Sequence, residues 1–213
     1  SNRNIDIFIS GAGPAGLLAS LSFASLGYSV FCVDPKKPVT QSNEDGADLR
    51  TTAFLQPAKT FMASLGLWEK LEPFAIPMEI MRIIDSEGDN WPPRETTAKD
   101  FLASEISDLP FGWNIPNWLL RRTLLENAME YSNLELKFGL TTSSIIRRDD
   151  AAFVYLNDGS QIKSKLIIGA DGRDSLVRDK SQIKISKREF PQKALTFIVT
   201  HQRPHKNLSL IHI

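Results

Sequence analysis

The sequence predicts an α/β fold, in which a parallel sheet is extended by a β-meander and accompanied by a second, smaller sheet-based part. A β-branched run at 5–9, a glycine-rich turn at 10–16 and leucines at helical spacing up to Gly27 lead to a second apolar run at 29–34. Strand, turn, helix and strand within about 30 residues form a βαβ unit, which joins two parallel strands. Later in the chain, short apolar runs flank the hairpin signal Asn157-Asp158-Gly159 and predict the meander.

The elements between these landmarks follow from local patterns. Residues 35–48 are polar and rich in turn formers, which predicts a loop. A helix is expected from Gln56, where Pro57 suits the first turn, to Gly66, and a longer helix is expected over 117–129. Strands are expected over 79–85, 134–138, 143–147, 152–156 and 161–170, whereas 87–110 is expected to be turn-rich and the chain from Lys184 onward strand-like.

Composition excludes several classes of protein. The 213 residues carry 25 basic and 25 acidic side chains, so the formal net charge is zero, and 42% of them are hydrophobic. A disordered chain has fewer apolar residues and a nucleic-acid-binding protein has an excess of basic ones, so neither disorder nor a nucleic-acid partner is expected. The single cysteine, Cys32, lies between Phe31 and Val33 and is expected to be an inert buried thiol.

The distribution of apolar residues favours a cytoplasmic location. No run approaches the ~18 apolar residues of a membrane-spanning helix, and residues 1–5 lack the apolar core of a signal peptide. Docking on a membrane surface stays open. No metal site is expected, because Pro204 lies between His201 and His205 and would break the helix that such a histidine pair requires.

A glycine motif lies where the first strand turns into the first helix: Gly11-Ala12-Gly13-Pro14-Ala15-Gly16. In a Rossmann-like βαβ unit this G-x-G-x-x-G pattern holds the pyrophosphate of a dinucleotide. Gly11 permits the tight turn, Gly13 lets the pyrophosphate approach the backbone, and Gly16 lets the helix pack closely on the strand. The helix N-terminus offers free N–H groups and a partial positive charge to the phosphates.

An acidic residue, Asp34, ends the second strand. A carboxylate at this position can accept hydrogen bonds from both ribose hydroxyls of an adenosine. It disfavours a ribose that bears a 2′-phosphate, so the sequence favours FAD or NAD over NADP. The alternative is a solvated aspartate beside Pro35 without a ligand-binding role.

Two further segments distinguish between these cofactors. One is Asp48-Leu49-Arg50-Thr51-Thr52-Ala53, which precedes a predicted helix. The other closes a buried strand at 169–178 with the pattern G-A-D-G-x-x-S-x-x-R. There Asp171 can reach the hydroxyls of a ribose or ribityl chain, Gly172 allows close approach of a ligand, and Arg178 is expected to support the turn.

These three elements, in this order and at this spacing, resemble the class A flavin monooxygenases, the para-hydroxybenzoate hydroxylase superfamily. Within it, the stretches D-L-R-T-T-A-F-L-Q-P-A, I-P-N-W-L-L-R-R-T-L-L-E-N-A and K-A-L-T-F-I-V-T-H-Q-R-P-H are similar to the ubiquinone-biosynthesis hydroxylases. The resemblance implies that FAD is held by ten residues: Gly11, Gly13, Pro14, Ala15, Gly16 and Asp34 at the ADP half, Arg50 near the pyrophosphate and flavin, Asn117 at the ribityl side, and Asp171 and Gly172 in a second fingerprint. For Arg50 and Asn117 the alternatives are a surface arginine and a plain helix N-cap.

The resemblance implies an oxidoreductase. NAD(P)H would reduce FAD, O₂ would add to give a flavin C4a-hydroperoxide, and this species would hydroxylate an aromatic ring, here a polyprenylated phenol of ubiquinone biosynthesis. No side chain is assigned as a catalytic acid or base, because the cofactor carries the chemistry. Two alternatives for the function stay open: another FAD-dependent oxidase, dehydrogenase or halogenase, or a non-catalytic nucleotide-binding module. Association with a membrane or a biosynthetic complex also stays open. Trp91 and Trp113 are expected to pack in the core, with contact to an apolar substrate as the alternative.

The resemblance also divides the chain. Residues 1–75 and 114–182 are expected to form the FAD-binding domain, and 76–113 and 183–213 part of a substrate domain. Members of the superfamily are about twice as long, and they carry a third FAD motif built on a Gly-Asp pair, which this sequence lacks after Gly172. The sequence is therefore expected to be an N-terminal fragment that is inactive by itself.

Overall fold

A computed structural model describes residues 2–88, 94–191, 193, 195, 202 and 204–212; Trp91, His201 and most of the stretch at 192–203 lie outside them. The chain divides into two compact units, Ser1–Asp48 with Trp118–Leu195 and Leu49–Asn117 with Thr196–Ile213. These boundaries differ from the functional division expected at 75, 113 and 182, which stays a prediction. Among the residues that the structure describes, no helix combines the length and the apolar character needed to cross a bilayer.

The elements are numbered along the chain. The strands are β1 (Asn2–Ser10), β2 (Val30–Asp34), β3 (Thr51–Leu55), β4 (Ile76–Met78), β5 (Ile80–Glu87), β6 (Arg94–Leu102), β7 (Gly112–Pro116), β8 (Leu134–Phe138), β9 (Thr142–Arg147), β10 (Ala152–Leu156), β11 (Gln161–Gly169) and β12 (Leu208–His212). The helices are α1 (Pro14–Ser25), α2 (Gln56–Ser64), α3 (Trp68–Leu71), α4 (Asn117–Ala128) and α5 (Leu176–Lys180).

The first unit is built on a six-stranded sheet in the order β8-β2-β1-β11-β10-β9. β1 pairs in parallel with β2 on one side and with β11 on the other, and β2 pairs in parallel with β8. β11, β10 and β9 are antiparallel neighbours and form the meander. The predicted α/β class, with its βαβ unit and meander, is confirmed. The carboxyl ends of β1, β2 and β11 therefore lie at one edge of the sheet.

Apolar side chains of the parallel strands and the meander form the core of this unit. Phe8, Phe31, Val33, Val154, Leu156 and Ile162 are all buried together. α1 buries one face through Gly16, Leu17, Ser20, Leu21 and Ala24, which follow helical spacing. The helix ends where Gly27 adopts a φ of +86° and its N–H donates to the carbonyl of Ala24.

The second unit contains two three-stranded sheets. β7 lies between β3 and β4 and is antiparallel to both. β5 lies between β12, to which it is parallel, and β6, to which it is antiparallel. Trp113 of β7 is buried against Trp68 of α3 at a ring distance of 5.4 Å, and the Lys59 ammonium lies 4.5 Å from the Trp113 ring. The expectation that Trp113 packs in the core is confirmed.

Two predictions from local pattern are wrong. Residues 94–102 form strand β6 rather than turns; β6 is an exposed edge strand, so its polar residues carry no apolar alternation to reveal it. Residues 184–191 form no strand, although Ile183 and Ile185 alternate with polar residues, because both side chains face solvent and no neighbouring strand pairs with them. The strand-like end of the chain is confirmed as β12.

A polar cluster fastens the start of β2 to β1 and β11. One oxygen of the Asp6 carboxylate accepts hydrogen bonds from the N–H and the hydroxyl of Ser29, at 2.9 and 2.7 Å. The other oxygen accepts from the Lys165 ammonium at 2.7 Å. The bond from Lys165, followed by those from Ser29, holds the pKa of the Asp6 carboxyl well below its usual range.

This cluster makes the stability of the first unit depend on pH. We expect Asp6→Asn to lower the free energy of unfolding at pH 7, because the amide loses the charge that Lys165 and Ser29 stabilise. A carboxyl whose pKa is depressed in the folded state stabilises it fully above the ordinary value of 3.8 and loses this effect as the pH falls below that value. The difference between wild type and variant in urea unfolding should therefore shrink between pH 5 and pH 3. Asp150→Asn, at an exposed site where Lys163 is 3.8 Å away, is the matched control and should change little at either pH.

Candidate functional site

The glycine loop after β1 is shaped by two positions that cannot carry a Cβ atom. Gly11 has a φ of +104°, and a Cβ there would lie 2.2 Å from the Ala170 carbonyl oxygen, just beyond β11. A Cβ on Gly16 would lie 1.8 Å from the Gly11 carbonyl oxygen. Gly11 also donates its N–H to the Val33 carbonyl at 2.7 Å. The loop is thereby held against the ends of β2 and β11.

Gly13 differs from its two neighbours in the motif, because a Cβ there would meet nothing within 4 Å. It is the N-cap residue of α1, with φ −69° and ψ 178°, and Pro14 follows at the first helical position. The amides of Ala15 and Gly16 lie in the first helical turn, where N–H groups have no acceptor within the helix. The open side of Gly13 and these N–H groups together form a place where an anion can bind.

The carboxylate of Asp34, at the end of β2, accepts a backbone hydrogen bond at each of its two oxygens. Its Oδ2 accepts from the N–H of Ala12 at 2.8 Å, and its Oδ1 accepts from the N–H of Lys36 at 2.8 Å. The side chain is only partly buried. Since each carboxylate oxygen has two lone pairs, each can still accept one further hydrogen bond from a ligand hydroxyl.

The carboxylate of Asp171 is engaged by the start of α5. Its Oδ1 accepts from the Ser175 hydroxyl at 2.5 Å, and its Oδ2 accepts from the N–H of Val177 at 3.0 Å. The Ser175 oxygen in turn accepts from the N–H of Arg178, as an N-cap side chain does. Arg178 donates to the Arg173 carbonyl at 3.0 Å, so it supports the turn as expected. Gly172, between these groups, has a φ of +85° and open space around it.

A cavity of about 240 Å³ lies at this edge of the sheet in the first unit. Its walls include Gly11, Asp34 and Asp171, together with Thr142. The hydroxyl of Thr142 donates to that of Ser10 at 3.0 Å, and both side chains are buried. Sequence reasoning missed Ser10, Thr142 and the capping role of Ser175. A serine before a short polar helix is a recognisable N-cap signal, but no local pattern marks the other two.

Arg50 and Asn117 lie in the second unit. The N–H of Asn117 donates to the Arg50 carbonyl at 2.9 Å, where β3 runs beside β7. The Asn117 side chain is only 9% exposed, and its Oδ1 accepts from the Thr52 hydroxyl at 2.6 Å. Asn117 also begins α4, as predicted. The structure thus brings Arg50 and Asn117 together, and it brings the glycine loop, Asp34 and Asp171 together.

The remaining two expectations concern the Cys32 thiol and metal binding. Cys32 is fully buried in β2, so the expected burial of its thiol is confirmed, and this burial raises the pKa of the thiol to about 12. Among the described residues, no group of three His, Cys, Asp or Glu side chains could hold a metal ion.

Curated relatives of this chain include hydroxylases named for ubiquinone intermediates. Ubiquinone hydroxylase UbiL of Rhodospirillum rubrum is 26% identical over 214 residues, which cover 100% of this chain and 47% of the relative. The 3-demethoxyubiquinol 3-hydroxylase of Escherichia coli is 25% identical over 199 residues, which cover 93% of this chain and 49% of the relative. The chain thus spans about half the length of these two relatives.

Solved structures share the fold. The flavin-dependent monooxygenase PieE, solved with FAD and substrate, superposes with a TM-score of 0.68 at 21% identity, over 86% of this chain and 33% of its own. PqsL of Pseudomonas aeruginosa, solved with 2-aminobenzoylacetate, superposes with a TM-score of 0.67 at 22% identity, over 89% of this chain and 49% of its own.

A family model described as FAD binding domain matches residues 4–208, almost the whole chain. The match confirms the cofactor, FAD, that the resemblance implied, and the relatives confirm the resemblance to flavin hydroxylases. With the sheet order, the glycine loop and the family match in agreement, this chain belongs to the FAD-binding domain family.

Proposed function

We propose that this chain is the FAD-binding part of an NAD(P)H-using hydroxylase that acts on an aromatic ring. The observation that carries the proposal is the edge of the parallel sheet, where the Ala12 N–H of the glycine loop donates to the Asp34 carboxylate at the end of β2, beside the open side of Gly13. A dinucleotide needs this pairing of a phosphate site with a ribose site.

The residues of the first unit fit the ADP half of FAD. Gly13 leaves room for the pyrophosphate, while Ala15 and Gly16 donate N–H groups to it and Pro14 holds the helix start at the required φ. Asp34 accepts from ribose hydroxyls with the lone pairs that its two backbone bonds leave free. Reduced flavin supplies the chemistry when bound, since it activates O₂ for transfer of one oxygen atom to the ring.

The remaining predicted site residues would serve the rest of the cofactor. We propose that Asp171 shapes the turn that contains Gly172, because its carboxylate accepts hydrogen bonds from Ser175 and Val177 in that turn; the lone pairs that these bonds leave free could also accept from a cofactor hydroxyl. The open space around Gly172 would then admit the ligand. The resemblance assigns Asn117 to the ribityl side and Arg50 to the pyrophosphate; within the second unit, Asn117 accepts from the Thr52 hydroxyl and donates its N–H to the Arg50 carbonyl.

The names of two relatives support a proposal for the substrate class. Two relatives that match at least 93% of this chain are named for hydroxylation of ubiquinone or demethoxyubiquinol. We propose a polyprenylated phenol as the substrate, with O₂ as the co-substrate. A substrate of this kind dissolves in lipid, so a cytoplasmic enzyme that acts on it would work at the surface of a membrane.

The purified full-length protein tests this function. With prenylated phenol present, we expect it to consume NAD(P)H and to release the phenol with one added oxygen atom, which mass spectrometry detects. Labelling with ¹⁸O₂ should place the label in the product. Turnover that does not need NAD(P)H would contradict the proposal and favour an oxidase on the same scaffold, and a protein that binds FAD without any turnover would favour a non-catalytic module.

Substitution at Gly13 separates binding from folding. We expect Gly13→Ala to change the free energy of unfolding without FAD by less than about 1 kcal/mol, because the new methyl group meets open space and the freedom lost by the unfolded chain is offset by the poorer N-capping of alanine. The same methyl group should weaken FAD binding by about tenfold or more, because it occupies the approach of the pyrophosphate. Thermal unfolding and quenching of flavin fluorescence measure the two effects.

Gly16→Ala is the contrasting variant for this test. Its Cβ would lie 1.8 Å from a backbone oxygen, so it should lose stability as well as FAD affinity. Wild-type FAD affinity in Gly13→Ala would exclude the pyrophosphate role of this position.

A double-mutant cycle tests the role of Asp171. Asp171→Ala and Ser175→Ala should each destabilise the protein by about 1–2 kcal/mol, since each removes part of the cap of α5. Each single variant should also weaken FAD binding. If Asp171 acts through this cap, these two losses of FAD affinity should not add, and the double variant should bind FAD about as well as either single variant. Strictly additive losses of affinity would show instead that the Asp171 side chain contacts the cofactor directly.

A further inference from the structure

One segment of this neutral chain, residues 180–193, carries a net positive charge, and we term it the basic segment. It contains five basic residues, Lys180, Lys184, Lys187, Arg188 and Lys193, and one acidic residue, Glu189. The whole chain has as many acidic as basic side chains, so the excess here is balanced elsewhere. Such a segment attracts an anionic surface even though the protein has no net charge.

Large apolar side chains in the basic segment are exposed between the cations. Ile183 and Ile185 are each 60% exposed, and Phe190 is 64% exposed. The chain between α5 and Pro191 forms neither helix nor strand, so these side chains belong to an irregular segment. Lys184 stands between the two isoleucines, and the Arg188 guanidinium lies 5.0 Å from the centre of the Phe190 ring.

Most cations of the basic segment are not neutralised within the chain. Lys187 forms an ion pair with Glu189 at 2.8 Å, and both side chains are exposed. In the described part of the chain, Lys180, Lys184 and Lys193 have no ion-pair partner. Ile183 also borders a groove of about 440 Å³, whose charged lining residues are Arg147, Arg148, Lys165 and Arg178 on the basic side and Asp149 and Asp150 on the acidic side.

We propose that the basic segment docks the first unit on an anionic phospholipid surface. Lys180, Lys184 and Arg188 would contact the headgroups, while Ile183 and Phe190 enter the boundary between headgroups and acyl chains. An acidic protein would pair with the cations, but it would leave the isolated apolar side chains without a matching pocket. The surface of a bilayer can accommodate isolated apolar side chains, because it is fluid and its acyl chains begin a few ångströms below the charged headgroups. The docking rests on the proposed function in one respect, since it brings the enzyme to a substrate dissolved in lipid.

Binding of the full-length protein to vesicles tests the docking. We expect it to sediment with vesicles of phosphatidylcholine and phosphatidylglycerol, but not with phosphatidylcholine alone, and to be released by salt. Replacing three cations (Lys180→Gln, Lys184→Gln, Arg188→Gln) should weaken this binding about a hundredfold, at about fivefold per charge. A second variant, Ile183→Ser with Phe190→Ser, should weaken it while the charge is unchanged.

The matched control removes three cations elsewhere (Arg94→Gln, Lys99→Gln, Lys137→Gln), all of them exposed. It should bind anionic vesicles almost as the wild type does. Failure of the wild type to bind anionic vesicles, or equal losses in the control and the segment variant, would overturn the docking. Flavin absorbance per chain and hydroxylation of a water-soluble phenol report the proposed function separately, and both should be unchanged in the segment variants.

Discussion

The site depends on the contact between the backbone of Gly11 and that of Ala170. β1 and β11 run in parallel with Ser10 opposite Gly169, so the chain leaving each strand turns at the same level of the sheet. The two turns fit only because Gly11 has no Cβ, which would otherwise lie 2.2 Å from the Ala170 oxygen. A residue with a side chain would push the loop off the sheet, and with it the start of α1 and the approach to Asp171. The spacing of strands in a sheet is fixed by hydrogen bonds, so the strands cannot move apart to make room.

Asp34 links this backbone geometry to ligand binding. Its carboxylate joins the end of β2 to Ala12 in the glycine loop, so the residue that would bind the ribose also holds the loop that would bind the phosphates. Buried or half-buried carboxylates that accept backbone N–H bonds have few ways to rotate. The two halves of the binding site are therefore at a fixed distance before any ligand arrives, which reduces the ordering cost of binding.

The sequence predicts those elements whose apolar pattern matches their burial in the folded chain. β1, β2 and β11 are apolar runs because both faces of a parallel sheet are covered, and the glycine motif reads directly as a turn with two forbidden Cβ positions. β6 could not be found in this way, because an exposed edge strand has no apolar face. The site shows the same limit. Asp34 was recognised from its position in a motif, whereas the pairing of Thr142 with Ser10, 132 residues apart, is set by the sheet order and has no local trace.

The carboxylates at this edge of the sheet raise a question of charge, because a pyrophosphate is an anion and Asp34 and Asp171 line the same cavity. The structure separates the two kinds of group by the hydrogen-bond donors around them. Asp34 and Asp171 each accept two hydrogen bonds from donors of the chain itself, so both carboxylates serve as acceptors there. A ribose hydroxyl can donate a hydrogen bond to the Asp34 carboxylate. A phosphate cannot, since neither the carboxylate nor the phosphate has a proton to donate. The phosphates are left with the N–H groups at the start of α1 beside Gly13. Under the proposed function, this arrangement of donors would orient a dinucleotide along the edge and would reject one that carries a phosphate on the ribose next to Asp34.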